Sequence, residues 1–388
     1  MNAASPSPPI DRILVLRTGH IGDVVILSPC LELLHKLFPG AEISALVRAG
    51  TEPVLRHHPL IKHIYTGGEI VGQQQMLVQK KTSIWNRLRQ VPRGLRVIRE
   101  MRCERFDLAV DFTGGDSTAF YAFLSGAARR VAYAAGKSGF AGRNRLFTHL
   151  CRSPLKLEHR VLKDAELLRT VAQATGREAL WRGLTPGPAV MHCSPEDLAW
   201  ARERWRPIAP GEGPRVLVHP TSRVHYKCWA AEKWTALMDR LSADFGATML
   251  LTSGPDTKEL EMARGIAASC RVKVHTNLGD LTLGRLAALI HEANLFLGVD
   301  TAPMHIAAAV GTRVVAVFGP SQDEIWHPWG PGHCVVRRPC PCLASRKRGC
   351  SEAQGMDCLK ALTVEEVYDA AQRVLRELQR APAPAAAP

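Results

Sequence analysis

The sequence predicts an α/β fold made of two doubly wound, Rossmann-like domains facing each other across a cleft. Short apolar runs, polar loops and helical stretches alternate along nearly the whole chain, the sequence form of parallel strands joined by crossover helices. The alternation is interrupted by the proline-bearing stretch LTPGPAVMHCSPEDL (184–198) and then restarts. Finally, 388 residues with 46% hydrophobic content suffice for two domains, each with its own core. This reading gives a first domain at 13–185, a connection at 186–212, a second domain at 213–362 and a C-terminal helix at 363–380, between tails at 1–12 and 381–388.

In the first domain, ILVLR (13–17) is a buried-strand pattern. The loop TGHIG (18–22) and Asp23 follow, then the helical stretch VVILSPCLELLHKLFPG, in which Pro29 either starts the regular helix after Ser28 or kinks it. Ile43 to Val47 is the second strand. The GxGxxG dinucleotide fingerprint is absent, which argues against a nicotinamide oxidoreductase. Asp23 falls just past the carboxyl end of the first strand, where open α/β sheets place ligands. An acid in the first turn of a helix equally suits capping. Residues 80–105 hold nine Lys or Arg against two Glu. From about Pro92 they read as a helix that buries Leu95, Ile98 and Met101 and shows Arg93, Arg96, Arg99 and Arg102 elsewhere. Arginine suits bidentate contact with phosphate or carboxylate, and a solvated basic face is the plainer alternative. Phe106 to Asp111 is another strand, followed by the small polar segment TGGDSTAF. Nine more basic residues lie in 129–163, opposed only by Glu158, with Arg143 and Arg145 expected in a mobile loop. Residues 164–182 read as a helix.

The second half begins with the strand Arg215 to His219, the loop PTSRVHYKCW (220–229) and a helix. Met249 to Leu251 is a strand, TSGPD (252–256) its loop, and Glu259 to Ser269 a helix; Asn277 to Leu281 leads into the helix Thr282 to Ala293. Then comes LFLGVDTAPMHIAAAVGTRVVAVFGP (295–320). Leu295 to Val299 is a strand, ended by Asp300. Thr301, Ala302 and Pro303 start a helix, with proline where its missing N–H costs nothing. Gly311 caps that helix, and Arg313 to Phe318 is the next strand. A strand, a tight turn and a helix N-terminus leave backbone N–H groups that suit a phosphate or diphosphate. The loops 220–228, 252–256 and 300–305 end strands at one sheet edge and supply Thr221, Ser222, Lys227, Asp256, Asp300, Thr301 and His305. Each of these also suits a cap or turn; their convergence is what points to a site.

HPTSRVHYKCW, VDTAPMHIAAAVGTRVVAVFGP and ILVLRTGHIGDVVILSP together resemble glycosyltransferase family 9, the ADP-heptose:lipopolysaccharide heptosyltransferases of Gram-negative bacteria, over about Ile13 to Leu362. Within the family the likeness is to the branch that adds the third, side heptose of the inner core, with a family 9 transferase for a different sugar or acceptor as the alternative. The resemblance implies a GT-B fold, with the acceptor bound by the first domain and ADP-heptose mainly by the second. It also implies an inverting transfer that needs no metal or other cofactor. Asp23 then matches the general base, and Lys227 the lysine near the sugar-nucleotide phosphates. Asp256 matches an acidic ribose contact, and Asp300, Thr301 and His305 match the nucleotide-binding turn. Ala302 stands where many members carry glycine. No Asp-x-Asp pair, the usual metal–diphosphate motif of other transferases, occurs in the chain.

Charge fits this expectation. Residues 1–185 carry 27 Lys and Arg against 15 Asp and Glu, whereas 186–388 carry 23 against 21, so the excess lies in the first domain. A basic domain faces an anionic partner. Here that is the phosphorylated inner-core acceptor, met by Arg93, Arg96, Arg99 and Arg143, and the surface of the inner membrane. Nucleic acid is the competing partner, but only Trp85 offers a stacking aromatic among the arginines, and none is expected. Eleven cysteines without a secretory-signal pattern suggest reduced thiols and a cytoplasmic protein on the inner leaflet. Cys340, Cys342, Cys350 and Cys358, with His333 upstream, could hold a structural zinc, although the spacing is no standard finger and free thiols are the alternative.

Overall fold

The computed structural model describes residues 9–67, 84–136, 140, 142–155, 157–339 and 356–380, with the backbone alone for 84–93. Residues 1–8, the tail 381–388 and three of the four clustered cysteines, Cys340, Cys342 and Cys350, lie outside the described residues. Two compact units emerge, Met1–Gly187 and Pro188–Pro388.

The first unit holds β1 (Arg12–Arg17), β2 (Glu42–Arg48), β3 (Ile61–Gly67), β4 (Leu108–Asp111), β5 (Arg129–Tyr133) and β6 (His149–Cys151). They form one parallel sheet in the order β3-β2-β1-β4-β5-β6. The second unit holds β7 (Arg215–His219), β8 (Thr248–Ser253), β9 (Val274–Leu278), β10 (Leu295–Val299), β11 (Arg313–Phe318) and β12 (Cys334–Arg337). Their order, β12-β11-β10-β7-β8-β9, repeats the first topology. In each sheet the winding reverses between two central strands, β1 and β4 or β7 and β10. At such a switch point the loops leave in opposite directions and open a ligand crevice at the carboxyl edge. The central strands are almost wholly buried, as strands covered by helices on both faces must be.

Local sequence explains most elements. Pro29 begins the regular helix Ser28–Leu37 within its first turn and does not kink it. The stretch expected to be a connection is largely part of the second unit. Ser194 caps the helix Pro195–Trp205 by accepting from the Asp197 N–H at 3.0 Å, and the buried Trp205 indole donates to the Leu289 carbonyl at 3.1 Å. A helix anchored by a buried tryptophan is a domain element, so the boundary falls at Gly187 and Pro188.

The arginine-rich helix runs Ile84–Cys103, with Pro92 inside it and not at its start. Its inner face passes through Gly94 and Met101, while Leu95, expected in the buried stripe, is 61% exposed. The C-terminal helix Val364–Arg380 is well signalled: Thr363 and Glu366 exchange hydrogen bonds of 2.9 and 3.3 Å in a capping box. It belongs to the second core, burying Val367, Tyr368, Ala371 and Leu375 there.

Candidate active site

At the switch point of the first sheet, β1 ends in Arg17, and the loop 18–20 leads into the short helix Ile21–Val25, which bears Asp23. One Asp23 oxygen, Oδ2, accepts the His20 N–H at 2.9 Å, which realises the capping role. The other, Oδ1, lies 3.3 Å from Nη2 of Arg17, whose Nε donates to the Asp23 carbonyl at 3.1 Å. The carboxylate remains 22% exposed, so it serves as a cap and is still reachable. Gly19 is required beneath it: a Cβ there would sit 2.6 Å from Oδ2 and 2.8 Å from the Asp23 Cβ.

On the other side of the switch point, Asp111 ends β4 fully buried. It accepts the N–H groups of Thr113 and Gly114 at 2.9 and 3.1 Å and the Thr118 hydroxyl at 2.8 Å. Burial pushes its carboxyl up from the ordinary range, and these hydrogen bonds and Arg143 pull the other way. Arg143, expected on a mobile loop facing the acceptor, is instead 3% exposed in the short 3-10 turn Arg143–Leu146. Its Nη2 is 3.6 Å from Asp111 and its Nε donates to the Gly115 carbonyl at 3.3 Å, so it braces the β4 loop. Of the other expected acceptor contacts, Arg96 is exposed and paired with Glu100 at 2.8 Å, and Arg99 is exposed. Both lie in the last turns of their helix, before the chain enters β4 at the edge opposite Asp23. The side chain of Arg93 lies outside the described residues.

In the second sheet the expected loops do end adjacent parallel strands at one edge. Lys227 Nζ lies 2.6 Å from Oδ2 of Asp300 and donates to its carbonyl at 3.3 Å, tying the β7 loop to the β10 loop across the switch point. Lys227 is 25% exposed and Asp300 7%. Thr301 is the N-cap of the helix Ala302–Ala309 in extended conformation; its hydroxyl turns back to the Val299 carbonyl at 3.3 Å and does not cap the helix. Pro303 has no N–H, and that of Met304 is taken by the Thr301 carbonyl at 3.1 Å. The donors left at this tip for an anion are the N–H groups of Thr301 and Ala302. His305 is buried on the same helix. Thr221 and Ser222 are buried in the β7 loop, with Ser222 Oγ accepting from Val224 N–H at 3.1 Å.

Asp256 stands apart. It is exposed and caps the helix Thr257–Ser269 through the Lys258 N–H at 3.0 Å. The inward carboxylate here, which sequence reasoning missed, is Glu259, in the first turn of that helix. It is buried and accepts the Thr221 hydroxyl at 2.9 Å, and a Cβ on Gly254 would meet it at 2.8 Å. Its signal was its place with Ala263 and Ile266 on the buried face of the helix, where a carboxylate needs a partner. At the end of β7, His219 lies 3.0 Å from the Thr252 hydroxyl, and burial pushes its imidazole down to about 4. Cys358, the described member of the C-terminal cysteine set, is buried in the second core. Among the described residues no group of three or more His, Cys, Asp or Glu could hold a metal ion.

Two sheets of this shared topology, each with its polar loops gathered at the switch point, are the framework of a GT-B glycosyltransferase. The sequence model of glycosyltransferase family 9 (heptosyltransferase) matches residues 94–355, and the chain belongs to this family. It is 31% identical to lipopolysaccharide heptosyltransferase 3 of Escherichia coli over 312 residues, 79% of this chain and 83% of that one. A family 9 glycosyltransferase of Veillonella parvula shares its fold with a TM-score of 0.78 at 21% identity, covering 96% of this chain and 99% of that one. The ADP-heptose lipopolysaccharide heptosyltransferase II of Escherichia coli does so with a TM-score of 0.72 at 17% identity, covering 95% and 99%. The protein is therefore a glycosyltransferase of the heptosyltransferase family, with relatives in lipopolysaccharide synthesis.

Proposed function

We propose that this enzyme transfers a heptose from ADP-heptose to a hydroxyl of the phosphorylated inner core of lipopolysaccharide, with inversion at the anomeric carbon. The acceptor specificity is that of a heptosyltransferase III. The likeness to lipopolysaccharide heptosyltransferase 3 supports the acceptor, and the ADP-heptose named for the structural relative supports the donor. The carrying observation is the pair of switch points: a reachable carboxylate at one, a lysine beside a helix N-terminus at the other.

In this reading Asp23 takes the proton of the acceptor hydroxyl as its oxygen bonds to the anomeric carbon. The bond from that carbon to the diphosphate oxygen breaks, and ADP leaves. Lys227 and the N–H groups of Thr301 and Ala302 stabilise the charge that develops on the diphosphate. That positive charge comes from the chain itself, so the transfer proceeds without a metal ion. Thr221, Ser222 and Glu259 shape the floor of the nucleotide site, and Asp300 holds Lys227 in reach. Asp256, in the β8 loop, contributes by capping the helix that carries Glu259. The basic first domain meets the acceptor's phosphates and the cytoplasmic face of the inner membrane; Arg96 and Arg99, exposed at the edge away from Asp23, are assigned to the membrane face and not to the acceptor. Among the described residues no helix is long and apolar enough to cross a membrane.

Incubating the protein with ADP-heptose and deep-rough lipopolysaccharides of defined length, with and without EDTA, and weighing the products tests this reading. One added heptose on an acceptor that already carries two, insensitive to EDTA, is expected. Transfer from another nucleotide sugar only, or loss of transfer in EDTA, contradicts it.

A further inference from the structure

Asp23 is held by a buried chain of alternating charges that the chemistry above does not use. We propose that Arg17 is the positioning residue for Asp23, and that Asp164 is the anchor that keeps Arg17 in place. The proposal rests on the reading of Asp23 as the base.

The Arg17 guanidinium is 2% exposed. Through Nε it donates to the Asp23 carbonyl at 3.1 Å, and through Nη2 it meets the Asp23 carboxylate at 3.3 Å, so one rigid fork fixes main chain and side chain of the same residue. Its remaining nitrogen, Nη1, donates to the Phe112 carbonyl just after β4 at 2.7 Å and lies 3.3 Å from Oδ2 of Asp164. Asp164 is fully buried on the helix Arg160–Ala174. Its Oδ1 accepts from Arg160 Nε at 3.0 Å and from the Tyr133 hydroxyl at 2.7 Å. Arg160 also donates to the Phe112 carbonyl at 2.7 Å and lies over the Tyr133 ring. Strand β1, the loop after β4, β5 and the helix Arg160–Ala174 thus all bear on the placement of one carboxylate.

A purely structural arginine needs only Asp164 and Phe112. Here two of its three nitrogens face a residue that is reachable from solvent. With Oδ1 on Arg17 and Oδ2 on the His20 N–H, both Asp23 oxygens are oriented, yet each keeps a lone pair to accept a proton. A lysine is a point charge on a flexible stem and cannot span carbonyl and carboxylate together.

The test measures kcat, the KM for ADP-heptose and thermal stability of the full-length Arg17→Ala protein, with and without tens of millimolar methylguanidinium. Misplacing a catalytic group by about 1 Å costs on the order of 10²-fold. Arg17→Ala is therefore expected to lose about that much in kcat, with little change in donor KM, and methylguanidinium is expected to restore turnover, with the modest rise in melting temperature that any ligand of the folded state brings. Wild-type kcat, or a loss that methylguanidinium does not relieve, overturns the proposal. Should Arg17→Ala fail to fold, Arg17→Lys keeps a charge against Asp164: a tenfold or larger drop in its kcat supports the proposal and a wild-type kcat overturns it. Asp23→Asn separates the two levels. If that variant turns over normally, the base assignment falls; if it is inactive while Arg17→Ala is unimpaired, only the present proposal falls.

Discussion

Replacing Gly19 by alanine tests how closely the Asp23 carboxylate is placed. The new methyl would stand 2.6 Å from Oδ2 and 2.8 Å from both Cβ and Cγ of Asp23. Ordinary carbon contacts are about 3.5–4.0 Å, so Asp23 has to retreat by roughly 1 Å. Turning the carboxylate alone does not relieve the clash, because the Asp23 Cβ is equally close, and the tethers to Arg17 and the His20 N–H resist a shift of the helix. Overpacking of this kind costs about 1–3 kcal/mol, and a displacement near 1 Å in a reacting group costs on the order of 10²-fold in rate. Gly19→Ala is therefore expected to remain folded, with a lowered melting temperature, a kcat reduced about 10²-fold and a nearly unchanged KM for ADP-heptose. Steady-state kinetics with a truncated lipopolysaccharide acceptor reads kcat and KM, and a melting curve reads the third quantity. A kcat within twofold of wild type would show that the carboxylate is not held where catalysis needs it.

Three further outcomes follow from the second domain and its core. Lys227→Met removes the cation between the β7 and β10 loops, and loss of one charge-stabilising donor is expected to lower kcat by about 10²–10³-fold; a fall confined to donor KM would remove Lys227 from leaving-group stabilisation. Thr221→Val leaves the buried Glu259 carboxylate without its hydroxyl donor, so stability should drop by about 1–3 kcal/mol and the ADP-heptose KM should rise; urea unfolding and donor titration check both, and unchanged values contradict the coupling. His219 concerns pH. Its imidazole is held down to about 4, against about 6.5 unfolded, so between these values the unfolded chain binds a proton that the folded chain does not. Stability therefore falls as pH drops through that window, by up to about 3 kcal/mol from this group, and His219→Gln should lose that much less than wild type between pH 7 and 4 in urea unfolding. Equal losses in the two proteins would exclude His219 as the source.

What the sequence showed of this fold was its centre. Strands β1, β2, β4, β7, β8, β10 and β11 are apolar runs because helices cover both their faces, and burial on both sides erases polar alternation. The outer strands β3, β6, β9 and β12 carry mixed sequences such as IKHIYTG and VHTNL, which sheet edges tolerate and which no periodicity marks; RRVAY of β5 hid in the same way behind its arginines. Of the candidate site, Asp23, Asp300 and Thr301 could be proposed from the sequence because each follows a strand end or opens a helix, and Lys227 and His305 because they lie in the loop and the helix that follow such an end. Arg17, Asp164 and Glu259 could not, since their partners lie far along the chain: Arg17 meets Asp164, and Glu259 meets Thr221. Arg143 and Leu95 failed for a related reason. A charged residue in a loop and an apolar one in a helix have default exposures, and tertiary packing reversed both.

The most direct measurement is made on Asp23→Asn, with ADP-heptose binding followed by calorimetry and transfer by mass analysis of the lipopolysaccharide. Asparagine keeps the size of the side chain and an oxygen for the His20 N–H, but cannot take a proton from the acceptor hydroxyl. Donor affinity close to wild type with no detectable heptose transfer is the expected result; transfer at a near-normal rate would contradict the assignment of Asp23 as the base.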